Sequence, residues 1–341
     1  MNNRIDLSKY NIRSDLIIDE VDDEKLLKAK KSKKDDVIVS SIELKENELE
    51  GKKKGTYITI EFNDITNYED REKVGEVFTK ELKKMLKKIK IEDNDECLII
   101  GLGNEKSTAD ALGPNVVDKV LITRHLFELN TNHKEGLRSV SAFSPDVMGN
   151  TGIETSDIIL SLVKEIKPKF IVIIDSLASS SINRLNKTIQ MTDSGIHPGS
   201  GIGNYRKEIS SDLLGIPVIA IGVPTVVNSA IIVRDTIDYL IKHISYLKNN
   251  YSKSKLTYTK IDDYKSKISD SNLTEEEKKE ILGMIGELSD SETYQLITEV
   301  LDSINYNLIV TNTEIDFLIN KLSEVIANSL NNSLHRQISH Y

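Results

Sequence analysis

The chain has 341 residues, of which 38% are hydrophobic and 29% charged, a formal net charge of -9 and a single cysteine. That length allows about one to three domains, and the negative balance argues against holding nucleic acid by broad phosphate neutralisation. One cysteine excludes a disulfide framework or a cysteine-rich metal site. No apolar run approaches the roughly 18 residues of a membrane span and the N-terminus is not signal-like, so a cytoplasmic protein is expected.

Residues 1–20 carry little periodicity apart from Arg13-Ser14-Asp15-Leu16-Ile17-Ile18, an acid followed by apolar residues. Residues 22–36 are crowded with charge, including Lys30-Lys31-Ser32-Lys33-Lys34, and fit a solvated face or helix better than a nucleic-acid patch. Val37–Leu44 and Thr56–Phe62 are rich in β-branched residues and predict strands, as in a hairpin. From Asp70 to Lys90, Val74, Val77, Phe78, Leu82, Met85, Leu86 and Ile89 fall at helical spacing, with lysines on the other face.

The middle of the chain alternates. An apolar strand at Cys97–Ile100 precedes a predicted helix near Pro114–Asn130, and a strand at Leu137–Phe143 precedes a helix near Thr155–Ile166. Phe170–Asp175 is the most buried-looking strand. Lys187–Met191 and Pro217–Val223 are further strand candidates, and Asn228–Tyr246 a helix. Alternation at this pitch predicts an α/β fold with a mostly parallel, wound sheet flanked by helices. The stretch 248–272, rich in Lys, Ser, Asn and Tyr, suggests a linker or insertion. The remainder, 273–341, is helical, with capping-box spacing at Thr274/Glu277 and Ser289/Glu292 and a last helix near Thr313–Leu330. The plan is an α/β core with an N-terminal β-rich addition and C-terminal helices packing on it.

Two acids stand where such a fold places its ligands, just outside the carboxyl ends of strands. Asp110 follows Gly101-Leu102-Gly103, and Asp175 ends the predicted strand Ile171–Ile174. Neighbouring carboxylates can share one proton, the ionised member activating water while the protonated one donates. The competing account is that each acid caps a helix or holds a loop. The segment Thr192–Arg206 holds four glycines and a proline, a loop that lets backbone approach a ligand. Its Asp193-Ser194-Gly195 has the form used by pepsin-like proteases, yet those need two such motifs on β-rich lobes. No Gly-Lys-Ser/Thr follows its glycines, and Lys106 stands where a dinucleotide fingerprint needs a third glycine. The six histidines, His125 and His197 among them, form no ligand pair, and no nucleophile elbow follows a strand, so the expected site has no metal or cofactor.

Several long motifs in order resemble one family: Gly101-Leu-Gly-Asn104, Thr108-Ala-Asp-Ala-Leu-Gly-Pro114, Thr123-Arg-His125, Gly149-Asn-Thr-Gly-Ile-Glu154, Ile174-Asp-Ser-Leu-Ala178, the glycine loop and Ile221-Gly-Val-Pro-Thr225. The family is the spore germination protease, or GPR endopeptidase, of endospore-forming bacteria. The resemblance also takes in Asp6–Tyr10, Asn307–Val310 and Val325–Asn328, and passes over segments near 25–55 and 248–272. It implies a fold related to hydrogenase-maturation peptidases, a homotetramer in the forespore or spore core, and cleavage of small acid-soluble spore proteins with no direct nucleic-acid contact. It further implies that Asp110 and Asp175 are the catalytic pair. Ala109, Ser176 and Ser194 depart from the family pattern, which has Pro, Ala and Thr there.

Members of that family are zymogens that remove a short propeptide, cutting between an acid and an apolar residue. By that resemblance 1–15 is a propeptide, 16–247 the peptidase core, and the processing site lies between Asp15 and Leu16. An acid before the scissile bond calls for a basic subsite, for which Arg184 and Arg206 are candidates. Asp193, Gly199 and Gly201 of the glycine loop are candidate substrate contacts. Two other classes compete: a metal-assisted maturation peptidase of the same fold, and a non-catalytic module binding phosphate or peptide.

Overall fold

The computed structural model describes residues 15–19, 30–34, 36–46, 48–49, 52–129, 135–199, 206–250 and 274–336. These divide into a larger unit, Arg13–Ser179 with Asn183–Val226 and Thr311–Tyr341, and a smaller one that includes Ser180–Ile182 and Val227–Val310. Most of the expected propeptide, most of the expected linker and the tip of the glycine loop lie outside the described residues.

The strands are β1 (Lys30–Lys34), β2 (Val37–Leu44), β3 (Gly55–Glu61), β4 (Cys97–Gly101), β5 (Val140–Phe143), β6 (Phe170–Ser179), β7 (Thr188–Thr192), β8 (Val218–Asn228) and β9 (Ile309–Val310). Their order is β1-β2-β3-β7-β8-β6-β4-β5, and β9 pairs with Val227 and Asn228 inside the smaller unit. The fold is α/β, as expected, and its sheet is mixed. β4 runs parallel to β5 and β6, while β1, β2, β3, β7 and β8 pair antiparallel in succession. The N-terminal hairpin joins the main sheet because β3 docks along β7, from Tyr57 opposite Thr192 to Glu61 opposite Thr188. The lysine run is a strand rather than a helix. All five of its residues are exposed, and lysines of this kind keep an edge from pairing with another chain.

Side-chain alternation sorts the core into two layers. Cys97, Ile99, Val172 and Ile174 face one side, where they meet Val74, Phe78 and Leu82 of the helix Tyr68–Lys88 and Leu322 and Ile326 of the helix Ile315–Leu334. Leu98, Ile100, Ile171 and Ile173 face the other, against Ile159 and Val163 of the helix Thr155–Ile166. Both capping boxes form, at Thr274 and Ser289.

The helix expected at Pro114–Asn130 is two short ones, Leu112–Val117 and Arg124–Glu128. Between them Leu121 N–H donates to Asn331 Oδ1 at 2.9 Å and Thr123 N–H to Val140 O at 3.0 Å, bonds that draw the backbone out of the helix. β6 likewise continues past Asp175 to Ser179, because strand geometry persists where Ala178 exchanges hydrogen bonds with Asp15.

Candidate active site

The parallel register of β4 and β6 brings Gly101 opposite Ile174, and Leu102 N–H donates to Ile174 O at 2.8 Å. The chain leaving β4 is therefore held beside Asp175. It then turns at Gly103, whose φ of +115° few other residues adopt and where a Cβ would lie 1.9 Å from the Asp110 carbonyl oxygen. That contact folds the 3-10 turn Thr108–Asp110 back over the strand end. Asn104 N–H donates to Asp110 O at 3.1 Å and to Asp110 Oδ2 at 2.9 Å.

Asp175 shares a face of β6 with Ile171, Ile173 and Leu177, and is 6% exposed. Ser176 N–H donates to its Oδ1 at 2.8 Å. Burial pushes its carboxyl well above the usual range, and the charges of Asp110 and Asp15 push it further. Burial also raises Asp110, to about 6, against the lowering effect of the Asn104 N–H and with a further raising effect from Asp146. The two expected acids thus share one electrostatic site. Like charges that feel each other in a buried site are costly to ionise together.

Asp146 is a third acid, which the sequence pattern did not single out. It lies just beyond β5 with a φ of 60°, its Oδ1 accepting from Val147 N–H at 2.7 Å, and neighbouring Ser144 Oγ donates to Gly101 O at 3.0 Å. Phe143-Ser-Pro-Asp146 carried the signal: an acid three residues past a parallel strand, at the edge where β4 and β6 present theirs.

The N-terminal segment lies along the end of β6 beyond Asp175. Asp15 N–H donates to Ala178 O at 3.0 Å, and Ala178 N–H donates to Asp15 Oδ2 at 2.8 Å. Leu16 and Ile18 pack with Leu177 and Ile196, while Ile17 turns to Ile42, Leu44 and Tyr57. The Asp15 carbonyl oxygen accepts from Gln190 Nε2 at 3.1 Å and from Lys52 Nζ at 3.3 Å. Lys52 and Gln190 also carried no sequence signal, since neither lies in a motif and only the β3–β7 pairing brings their region to the N-terminal segment.

Arg184 pairs with Asp19, and its Nε lies 3.4 Å from Glu61 Oε1. Arg206 Nη1 lies 3.3 Å from Met148 Sδ. Asp193 accepts from Thr56 N–H at 2.6 Å and faces Lys88 Nζ at 3.7 Å, bracing the β3–β7 corner. His197 Nε2 lies 3.4 Å from Glu208 Oε2 near the base of the glycine loop, and His125 is exposed on its short helix. Gly199 is half-buried at the end of the described part of that loop, and Gly201 lies outside the described residues. Among the described residues no group of three or more His, Cys, Asp and Glu side chains is placed to hold a metal ion, and no helix is long and apolar enough to cross a membrane.

A family model described as germination protease matches residues 10–341. The germination protease of Priestia megaterium is 46% identical over 99% of this chain and 97% of its own length. That of Bacillus licheniformis is 46% identical over 98% and 96%. Among solved structures, the [NiFe] hydrogenase maturation protease HycI from Thermococcus kodakarensis is 14% identical over 42% of this chain and 80% of its own, at a TM-score of 0.27, too low to argue from. With a match to nearly its whole length and close to half its residues shared with those relatives, the chain belongs to the germination protease family and is by family a peptidase.

Proposed function

We propose that this protein is an endopeptidase of spore germination that uses Asp110 and Asp175 to activate water and first cuts its own chain between Asp15 and Leu16. The observation that carries the proposal is the seating of that peptide bond: Asp15 pairs with Ala178, three residues along β6 from Asp175, and its charge is felt by the Asp175 carboxyl.

In this scheme ionised Asp110 takes a proton from water, and the water oxygen bonds to the Asp15 carbonyl carbon. Protonated Asp175 gives its proton to the Leu16 nitrogen as the C–N bond breaks. The products are a carboxyl on Asp15 and an amine on Leu16, and the proton left on Asp110 returns through solvent. Recognition of an acid before the bond rests on the Ala178 N–H, and of an apolar residue after it on Leu177 and Ile196. The same acid-then-apolar preference would select small acid-soluble spore proteins in the spore core, the substrates implied by the family resemblance, which also implies a homotetramer.

Intact mass of the purified full chain, of Asp110→Asn and of Asp175→Asn, followed over time with and without chelator, tests this. Loss of residues 1–15 from the wild type alone, unchanged by chelator, is the expected result. Processing abolished by chelator would replace the aspartate pair with a metal-assisted peptidase, and processing by both Asn variants would remove the pair from the reaction.

A further inference from the structure

We infer that Gln190 and Lys52 form the oxyanion site for the bond after Asp15, with Gln190 also setting which bond is presented; this rests on the self-processing proposed above. Gln190 lies within β7, opposite Thr59 on one side and Gly222 on the other, and is 6% exposed. Its carboxamide meets the N-terminal segment at two points. Ile17 N–H donates to Oε1 at 2.6 Å, and Nε2 donates to the Asp15 carbonyl oxygen at 3.1 Å. An amide N–H can only donate and a carbonyl only accept, so these two partners fix the orientation of the carboxamide.

The side chain therefore does for one carbonyl and the second amide beyond it what a neighbouring strand would do. A slip by one residue would separate it from both. Lys52 Nζ stands 3.3 Å from the same carbonyl oxygen and supplies positive charge. When water adds to the Asp15 carbon, the carbonyl π pair moves onto that oxygen. A neutral N–H and an ammonium already aimed at it gain strength as the charge develops, whereas ground-state contacts elsewhere along the segment do not change. When the tetrahedral species collapses, the pair returns to re-form the C=O and the Leu16 nitrogen leaves with the proton from Asp175. Neither side chain is needed to move a proton, which distinguishes both from the aspartates.

The test compares first-order self-processing of the full chain in the wild type, Lys52→Met, Lys52→Arg, Gln190→Glu and, as a control, Lys54→Met, whose lysine is exposed beside Glu46. Removing one preorganised donor costs about 100-fold or more in a dry site. Lys52 is partly exposed, so about tenfold is expected for Lys52→Met, with partial recovery in Lys52→Arg and no change in Lys54→Met. Gln190→Glu keeps an acceptor for Ile17 N–H but loses the donor, and its rate relative to wild type should rise as pH falls and the new carboxyl takes up a proton. Hydrogen exchange at Leu16–Asp19 should be unchanged in Lys52→Met. Wild-type rates and the same cut site in both Lys52→Met and Gln190→Glu would overturn the inference while leaving self-processing intact. Slower cutting accompanied by faster exchange at Leu16–Asp19 would overturn it too, since the residues would then only hold the segment. A wild type that keeps its N-terminus would overturn the self-processing proposal and this inference with it.

Discussion

Asp110→Asn is expected to make the protein more stable at neutral pH and no more stable in acid. An acid whose folded value is raised binds its proton more tightly in the native state. Its contribution to stability is therefore fully present below the unfolded value and is lost as pH rises through the folded one. For Asp110 that window runs from the ordinary 3.8 to about 6. At about 1.4 kcal/mol per pH unit the loss reaches a ceiling of about 3 kcal/mol. Asp110 is only partly buried, so ~1–2 kcal/mol is the working figure once solvent screening is allowed for. Asparagine keeps an oxygen for the Asn104 N–H and carries no charge to bury. With about 2–4 °C per kcal/mol in domains of roughly 150–250 residues, Tm should rise by ~2–8 °C at about pH 7.5. The difference should shrink toward zero at about pH 3 and below, where wild-type Asp110 is protonated in both states. The assay is thermal unfolding of both proteins across that range in one ionic strength. A Tm difference that stays constant with pH would refute the claim that the Asp110 carboxylate is strained by burial and by its acidic neighbours.

The rate of self-processing should fall as pH drops through about 6, where Asp110 takes up its proton, and fall again at higher pH as Asp175 loses its own, a bell-shaped profile read by intact mass. Gly103→Ala should cost ~2–4 kcal/mol and most of the processing rate, because a Cβ 1.9 Å from Asp110 O forces apart the turn that carries the acid; urea midpoint and mass time course check both. Arg184→Met leaves the Asp19 carboxylate, whose side chain has no exposed surface, without its guanidinium partner. Hydrogen exchange at Leu16–Asp19 should accelerate by about tenfold or more, and unchanged exchange would show that the segment is held without the Arg184–Asp19 pair.

The sequence by itself determined a good deal here, because the quantities that decide it are local. Buried parallel strands announce themselves as unbroken apolar runs, and so the strands at Cys97–Ile100 and Phe170–Asp175 were legible along with the acids that follow or end them, while the continuation of β6 to Ser179 was not. The helix Thr155–Ile166 and both capping boxes follow from i, i+3 and i+4 spacing, which needs no partner to be read. The motifs around Asp110 and Asp175 were enough to indicate the family.

Pairing between distant strands is a different matter, since no spacing records it. That the hairpin joins the main sheet depends on β3 meeting β7 across more than a hundred residues of chain, and the same encounter decides what Asp193 braces. Asp146 needed β5 to be seen beside β4 before it counted as a neighbour of Asp110. Arg184 and Arg206 were singled out from charge complementarity, and that Arg184 meets Asp19 while Arg206 lies by Met148 is decided by which segments the fold brings together. Gln190 and Lys52 are ordinary residues in sequence. Only the folded chain, by bringing β7 and the start of β3 to the N-terminal segment, makes them donors to the Asp15 carbonyl, since a hydrogen bond needs its two atoms within about 3 Å and nothing in a linear sequence supplies that distance.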